Sequence, residues 1–269
     1  MDLPVYNTLI LSDLHLGAET SHAREATRVL KENIFHRLIL LGDIFADLNF
    51  ARLTKEHWKF LGYIRKLSNP KRKIEVVWVE GNHDHGLTNI MSHLVGVRVY
   101  QRYAWQFAGQ RHIAIHGHQF DGFQVNNMRL SQLGTSLYLK LQKLDFKSKP
   151  IVRLIDRLNT RWLRMSSKVS AGALQYARQH DVGRIFCGHT HEAVHVEQDG
   201  IHYYNSGGWV DSCLTYLTVD EQGVRIHEYN ERADDRGSGQ ERGEADSALV
   251  DFADESGLLE DVEYESVGG

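Results

Sequence analysis

The sequence predicts an α/β fold, a sandwich with largely parallel central strands. Three observations carry this expectation. With 42% hydrophobic and 25% charged residues over 269 positions, the composition is that of a globular chain long enough for one large domain or two small ones. In the first half, short apolar runs alternate with stretches in which apolar residues recur every three or four positions. In the second half, apolar runs are joined through tight-turn residues, the pattern of hairpins.

Taken in order, TLILSD (8–13) reads as a buried strand and ETSHAREATRVLKENIF (19–35) as a helix. RLILLGD (37–43) is a second strand. FARLTKEHWKFLGYIRKLS (50–68) is a second helix, ended by Asn69-Pro70. IEVVWVEGN (74–82) is a third strand. After Gly96 the texture changes: residues 97–118 read as consecutive strands turning at Ala108-Gly109-Gln110. Residues 123–180 are helical in pattern and basic. RIFCGHTH (184–191) returns to a buried strand, 192–210 to a hairpin turning at Gln198-Asp199-Gly200, and 212–229 to a second hairpin turning near Gln222-Gly223. Residues 231–269, acidic and poor in core residues, are expected to form a disordered tail. The expected organisation is one domain over 1–230, with a basic helical cap inserted at 123–180, followed by that tail.

Several classes are set aside by bulk properties. No run of eighteen apolar residues is present, so no membrane span is expected. The opening MDLPVYNTLILSD lacks a basic leader, and a cytoplasmic location is the expectation. Cys187 and Cys213 have no metal-type spacing and suggest no disulfide framework. The net charge of −4 conceals an asymmetry: 231–269 holds 13 acidic and 3 basic residues, so the remainder is basic and suits an anionic ligand. Sixteen histidines point toward metal chemistry.

Five apolar runs end alike. TLIL runs into Ser12-Asp13-Leu14-His15, LILL into Gly42-Asp43, VVWV into Glu80-Gly81-Asn82-His83-Asp84, HIAI into His116-Gly117-His118, and RIFC into Gly188-His189-Thr190-His191. In open α/β sheets ligands bind beyond the carboxyl ends of the strands, so these loops are expected to meet at one edge. Each residue alone has an ordinary role: Asp13 as a helix cap, Asp43 as a turn residue, Asn82 in a left-handed turn, His116 in the core. Gathered together, carboxylates and imidazoles need positive charge between them, which a pair of divalent cations supplies.

The ordered series Asp-x-His, Gly-Asp, Gly-Asn-His-Asp, His and Gly-His-x-His, spanning Asp13 to His191, resembles the calcineurin-like metallophosphoesterase superfamily. Within it, DLHLG, GDIF, GNHD, HGHQFDGF, CGHTH and NSGGWVDSC look most like the UDP-2,3-diacylglucosamine diphosphatase group. The resemblance implies a metallophosphoesterase-type α/β/β/α sandwich with a helical cap insertion. It implies that Asp13, His15 and His191 hold a first metal, that Asn82, His116 and His189 hold a second, and that Asp43 bridges both. The cations, manganese foremost with iron or zinc as alternatives, would ready a hydroxide for in-line attack on phosphorus. His83 would serve the leaving oxygen as acid, with Asp84 orienting its ring. The implied reaction is hydrolysis of a phosphate ester or pyrophosphate, in the finer reading a UDP-linked lipid pyrophosphate. A soluble nucleotide or small phosphodiester is the alternative substrate, and a metal-depleted binding module the alternative of another class.

Two departures stand out, the first bearing on support of the metal ligands and the second on substrate identity. Ala46 stands where many relatives carry an acid, and His118 and Gly208 stand where the diacylglucosamine group often carries aspartate. The insert at 123–180 holds 11 basic and 2 acidic residues around leucine stripes at helical spacing. It reads as paired packing helices, or as a lid that meets an anionic, partly apolar substrate or the inner membrane surface. No dedicated nucleic-acid domain is visible. Arg24 and Arg28 suit either a phosphate or a solvated face, and Asn205 and Trp209 either one wall of the site or an ordinary turn.

Overall fold

The structure, a computed structural model, describes residues 3–86, 88–121, 150–210 and 213–230, and the side chains of all of these except 88, 89, 94 and 150–164. The expected tail and the first part of the expected cap lie outside the described residues.

Two sheets face each other. The first has the order β11-β10-β1-β2-β3-β4, built from β1 (Val5–Leu11), β2 (Ile34–Leu41), β3 (Glu75–Val79), β4 (Val99–Tyr100), β10 (Thr215–Asp220) and β11 (Gly223–Glu228). Strands β1 to β4 run parallel, and β10 joins β1 antiparallel. The second sheet has the order β5-β6-β7-β9-β8, from β5 (Arg102–Phe107), β6 (Gln110–Ile115), β7 (Arg184–Cys187), β8 (Ala193–Gln198) and β9 (Ile201–Ser206). Its central strands β6, β7 and β9 are parallel. Helices α1 (Ala23–Glu32) and α2 (Lys55–Leu67) cover the first sheet, the short α3 (Thr88–Leu94) leads into β4, and α4 (Pro150–Gln179) lies on the second sheet.

Period-2 alternation explains the layering, because successive strand side chains point to opposite faces. In β1, Leu9 and Leu11 pack under the helices while Ile10 faces the other sheet. In β2, Leu38 and Leu40 divide from Ile39 and Leu41 in the same way, and in β3 Trp78 divides from Val77 and Val79. In β6 and β7, Ile113, Ile115, Ile185 and Cys187 pack toward α4, while Ala114 and Phe186 close the inter-sheet layer. The register places Ile10 beside Ile39 and Ile39 beside Val77, one continuous row between the sheets. Each such fully buried aliphatic side chain contributes about 1.5–3 kcal/mol. These strands are buried on both faces, which is why the sequence shows them as unbroken apolar runs.

All three expected tight turns form. Ala108-Gly109 and Asp199-Gly200 both have positive φ, as a two-residue hairpin turn requires, and Gly223 closes the third. The first expected helix is shorter than its pattern. It stops at Glu32, where Asn33 turns extended and its side chain donates to the Val29 carbonyl, and Ile34-Phe35 start β2. Within the stretch expected to form the cap, α4 packs on the second sheet from Val169 onward. Val169, Ala173, Leu174 and Ala177 are buried against β6, β7 and β9.

Candidate metal centre

Because β1, β2 and β3 are parallel, as are β6, β7 and β9, their carboxyl ends deliver loops to one edge. Those loops are bonded to one another. Asp13 N–H donates to the Gly42 carbonyl, His15 N–H to the Asp43 carbonyl, Gly188 N–H to the His116 carbonyl and Trp209 N–H to the Asp13 carbonyl, each at 3.0 Å. Asp13, His15, Asp43, His189 and His191 all have positive φ, between 45° and 71°. Such backbone is uncommon for residues other than glycine and clusters at functional sites. Close approach also explains two glycines. A Cβ on Gly81 would lie 2.2 Å from the Asp43 backbone nitrogen, and one on Gly42 would lie 2.4 Å from the His116 ring.

The expected ligands come together in overlapping groups. Asp13, His15 and His191 form one, Asp43, His116 and His189 another, with ligand atoms in each group within 4.8 Å of one another. A third, His15, Asp43 and His83, joins them. Asp13 Oδ1 lies 3.3 Å from His191 Nε2 and 3.4 Å from His116 Nε2, which is itself 3.7 Å from Asp43 Oδ2. His15 Nε2 and His191 Nε2 are 3.1 Å apart. The Asn82 Oδ1 atom is buried with no hydrogen-bond donor, an acceptor that a cation would satisfy. This donor set of imidazole, carboxylate and amide oxygen fits divalent cations.

The electrostatics agree with that fit. Burial works against the charge on Asp13, yet His191 and His116 hold its carboxyl well below the usual range. Asp43 is likewise opposed by burial but held down to about 2 by His116, His83 and His15. Burial disfavours a charged His116, yet Asp43 and Asp13 raise it to about 9, so without a cation its ring supplies positive charge between them. His15 is pushed down to about 3, chiefly by burial.

His83 stands at the rim, its side chain 20% exposed, with Nε2 3.9 Å from Asp43 Oδ2. Its Nδ1 is 2.8 Å from the Ala46 carbonyl. Asp84, expected to orient the His83 ring, makes its hydrogen bonds to the main chain. Its Oδ1 accepts from Gly81 N–H at 2.6 Å and its Oδ2 from Ile44 N–H at 2.9 Å. The carboxylate is occupied in tying two loops together, and the Ala46 carbonyl orients the His83 ring instead. Burial and Asp43 push Asp84 up to about 6. Asp47 bonds Arg52 and the Asn49 N–H, away from the cluster.

Other residues support the site from behind. Asn205 donates to the Gly188 carbonyl at 2.6 Å and to Thr190 Oγ1 at 3.0 Å, holding the His189–His191 loop. Trp209 is fully buried, and its backbone braces Asp13. Arg24 is exposed and Arg28 bonds the Tyr229 hydroxyl, so neither is part of the cluster. The reading of single motifs missed Asp121, whose Oδ2 lies 3.5 Å from His189 Nε2. It sits five residues after His116, outside the local spacing that flags a ligand.

Residues 6–193 match the family of calcineurin-like phosphoesterases. The chain belongs to this family. Its members are metal-dependent phosphoesterases, and the clusters above are where this chain offers ligands for divalent metal ions. No curated protein matches the chain. Among solved structures, it is similar to a novel archaeal phosphodiesterase at 15% identity and a TM-score of 0.47, covering 82% of this chain and 99% of that one. It is similar to Yfce, a phosphoesterase from E. coli, at 16% identity and a TM-score of 0.45, covering 81% and 90%. It is also similar to Chaetomium thermophilum Vps29 at 12% identity and a TM-score of 0.45, covering 86% and 91%.

Proposed function

We propose that this metal-dependent phosphoesterase binds two divalent cations and splits the pyrophosphate of a lipid-linked, UDP-type substrate. The observation that carries the two-cation reading is the convergence of Asp13, His15, Asp43, His116, His189 and His191 at one edge, with Asp43 close to both groups. Asp13, His15 and His191 would hold one cation, Asn82, His116 and His189 the other, and Asp43 both. Once bound, the cations supply Lewis acidity toward the phosphoryl oxygens and a water of lowered pKa. Manganese is the proposed metal, with iron or zinc as alternatives.

The chain's own contribution beyond binding lies at His83. A carbonyl oxygen can only accept, so the Ala46 contact requires the proton of the neutral ring to sit on Nδ1. Nε2 is then the nitrogen with the free lone pair, and it lies 3.9 Å from Asp43 Oδ2, on the side where, once protonated, it can pass a proton to the departing oxygen. Asp84 and Asn205 keep the loops in place while this happens.

Two features support the lipid-linked substrate: the motif resemblance, and the excess of basic residues over 123–180, which suits an anionic substrate presented at a membrane surface. The proposed location is accordingly cytoplasmic, at the inner face of the membrane. His118 and Gly208, replacing aspartates of that group, favour the second reading, a soluble nucleotide or phosphodiester. A substrate panel on protein of known metal content separates them. Turnover of a lipid pyrophosphate that rises with mixed micelles supports the first reading, whereas turnover confined to soluble diesters refutes it. Loss of all turnover on chelation, restored by manganese, is expected in either case.

A further inference from the structure

The two histidines of the second group are each approached from outside by a residue of one short segment. This segment, Gly117 to Asp121, follows β6. His118 Nδ1 lies 3.2 Å from His116 Nδ1, while His116 Nε2 points inward to Asp13 and Asp43. Asp121 Oδ2 lies 3.5 Å from His189 Nε2, a buried nitrogen that has no hydrogen-bond partner among the described residues, and Asp121 itself is only 4% exposed. Gly117 enters the segment at φ 110°, and His118–Phe120 forms a 3-10 turn. The turn is held by α4: a Cβ on Gly172 would lie 2.8 Å from Phe120 Cβ, and the Phe120 and Tyr176 rings are 5.7 Å apart.

We infer that His118 and Asp121 are positioning residues for the second cation. His118 accepts the Nδ1–H of His116, so that His116 binds through Nε2. Asp121 takes the Nε2–H of His189, so that His189 binds through Nδ1. Outer hydrogen bonds of this kind fix the tautomer and aim of a ligating ring and raise its basicity. Where the resembling group carries aspartate at the second residue after the ligand histidine, this chain uses a neutral imidazole acceptor, a weaker partner for the same N–H. The affinity of the second cation is thereby tied to a turn clamped by α4. The inference rests on the two-cation reading above.

The test is metal stoichiometry of the full-length protein, titrated with manganese in a chelator-buffered series and read by elemental analysis. Electron paramagnetic resonance of the same samples separates a coupled pair from a lone ion. The parent is expected to take up two ions and show the coupled signal. His118→Ala and Asp121→Ala should each keep the first ion and bind the second about 10–100-fold more weakly, with an uncoupled signal. His118→Asp should restore the second ion to at least parental affinity, a rescue that a merely space-filling role would not produce. If both alanine variants hold two ions as the parent does, the inference fails while the two-cation reading stands. Loss of both ions together with the fold also refutes it. A parent that takes up fewer than two ions overturns both.

Discussion

Replacing Asp84 by asparagine separates two roles for this residue that the sequence could not. The side chain is 1% exposed, and each of its oxygens accepts one backbone N–H, from Gly81 at 2.6 Å and Ile44 at 2.9 Å. Asparagine offers one oxygen and one NH2, so one of the two amides would face a donor. Leaving a buried backbone N–H unsatisfied costs about 1–3 kcal/mol, toward the upper end here because the lost bond is to a carboxylate. At about 2–4 °C per kcal/mol for a chain near this size, the melting temperature should fall by about 4–12 °C. The bonded loops carry Asp43 and Asn82, so retention of metal should fall as well. Calorimetry of metal-loaded and chelated protein, with elemental analysis, provides both readings. A variant that melts within about 1 °C of the parent, less than 1 kcal/mol at this chain length, and keeps its metal, while losing turnover, would show that Asp84 serves the His83 ring and that the loop-tying argument is wrong.

His83→Ala should leave both cations bound and lower kcat by about 10²–10⁴, the usual contribution of a positioned acid, and steady-state kinetics beside metal analysis will show whether the two effects separate. Gly81→Ala places a Cβ 2.2 Å from both the Asp43 backbone nitrogen and Oδ1, so it should lose metal and activity together; parental metal content in this variant would contradict the packing. His112 is fully buried against Trp105 and Phe186 with neither ring nitrogen hydrogen-bonded, and burial, Arg184 and Arg37 push it down to about 3. Since the unfolded chain takes up this proton near pH 6.5 and the folded one resists it, the stability associated with His112 is full above that pH and falls as pH drops toward 3. From pH 7 to 5 the parent should lose about 2 kcal/mol that His112→Leu does not; equal losses in urea titrations of the two proteins would place the acid sensitivity elsewhere.

The strands were legible because they are buried on both faces, so that RLILL and TLIL appear as unbroken apolar runs. The turns at Ala108-Gly109 and Asp199-Gly200 were legible because few residues tolerate positive φ. The candidate ligands were legible because each lies within a few residues of a strand end, and Asp43, Asn82 and His189 each follow a glycine (Gly42, Gly81 and Gly188) where a Cβ has no room. What the sequence by itself determined was therefore the element order, the strand-end chemistry and the family. Tertiary structure alone decided the partners across distance. That Asp84 bonds Gly81 and Ile44, that the Ala46 carbonyl turns the His83 ring, that Asp121 meets His189 and that α4 is core from Val169 onward all depend on contacts between segments remote in sequence. Local periodicity carries no record of such contacts, because a hydrogen bond needs only a distance and a direction, which chains of many spacings can provide.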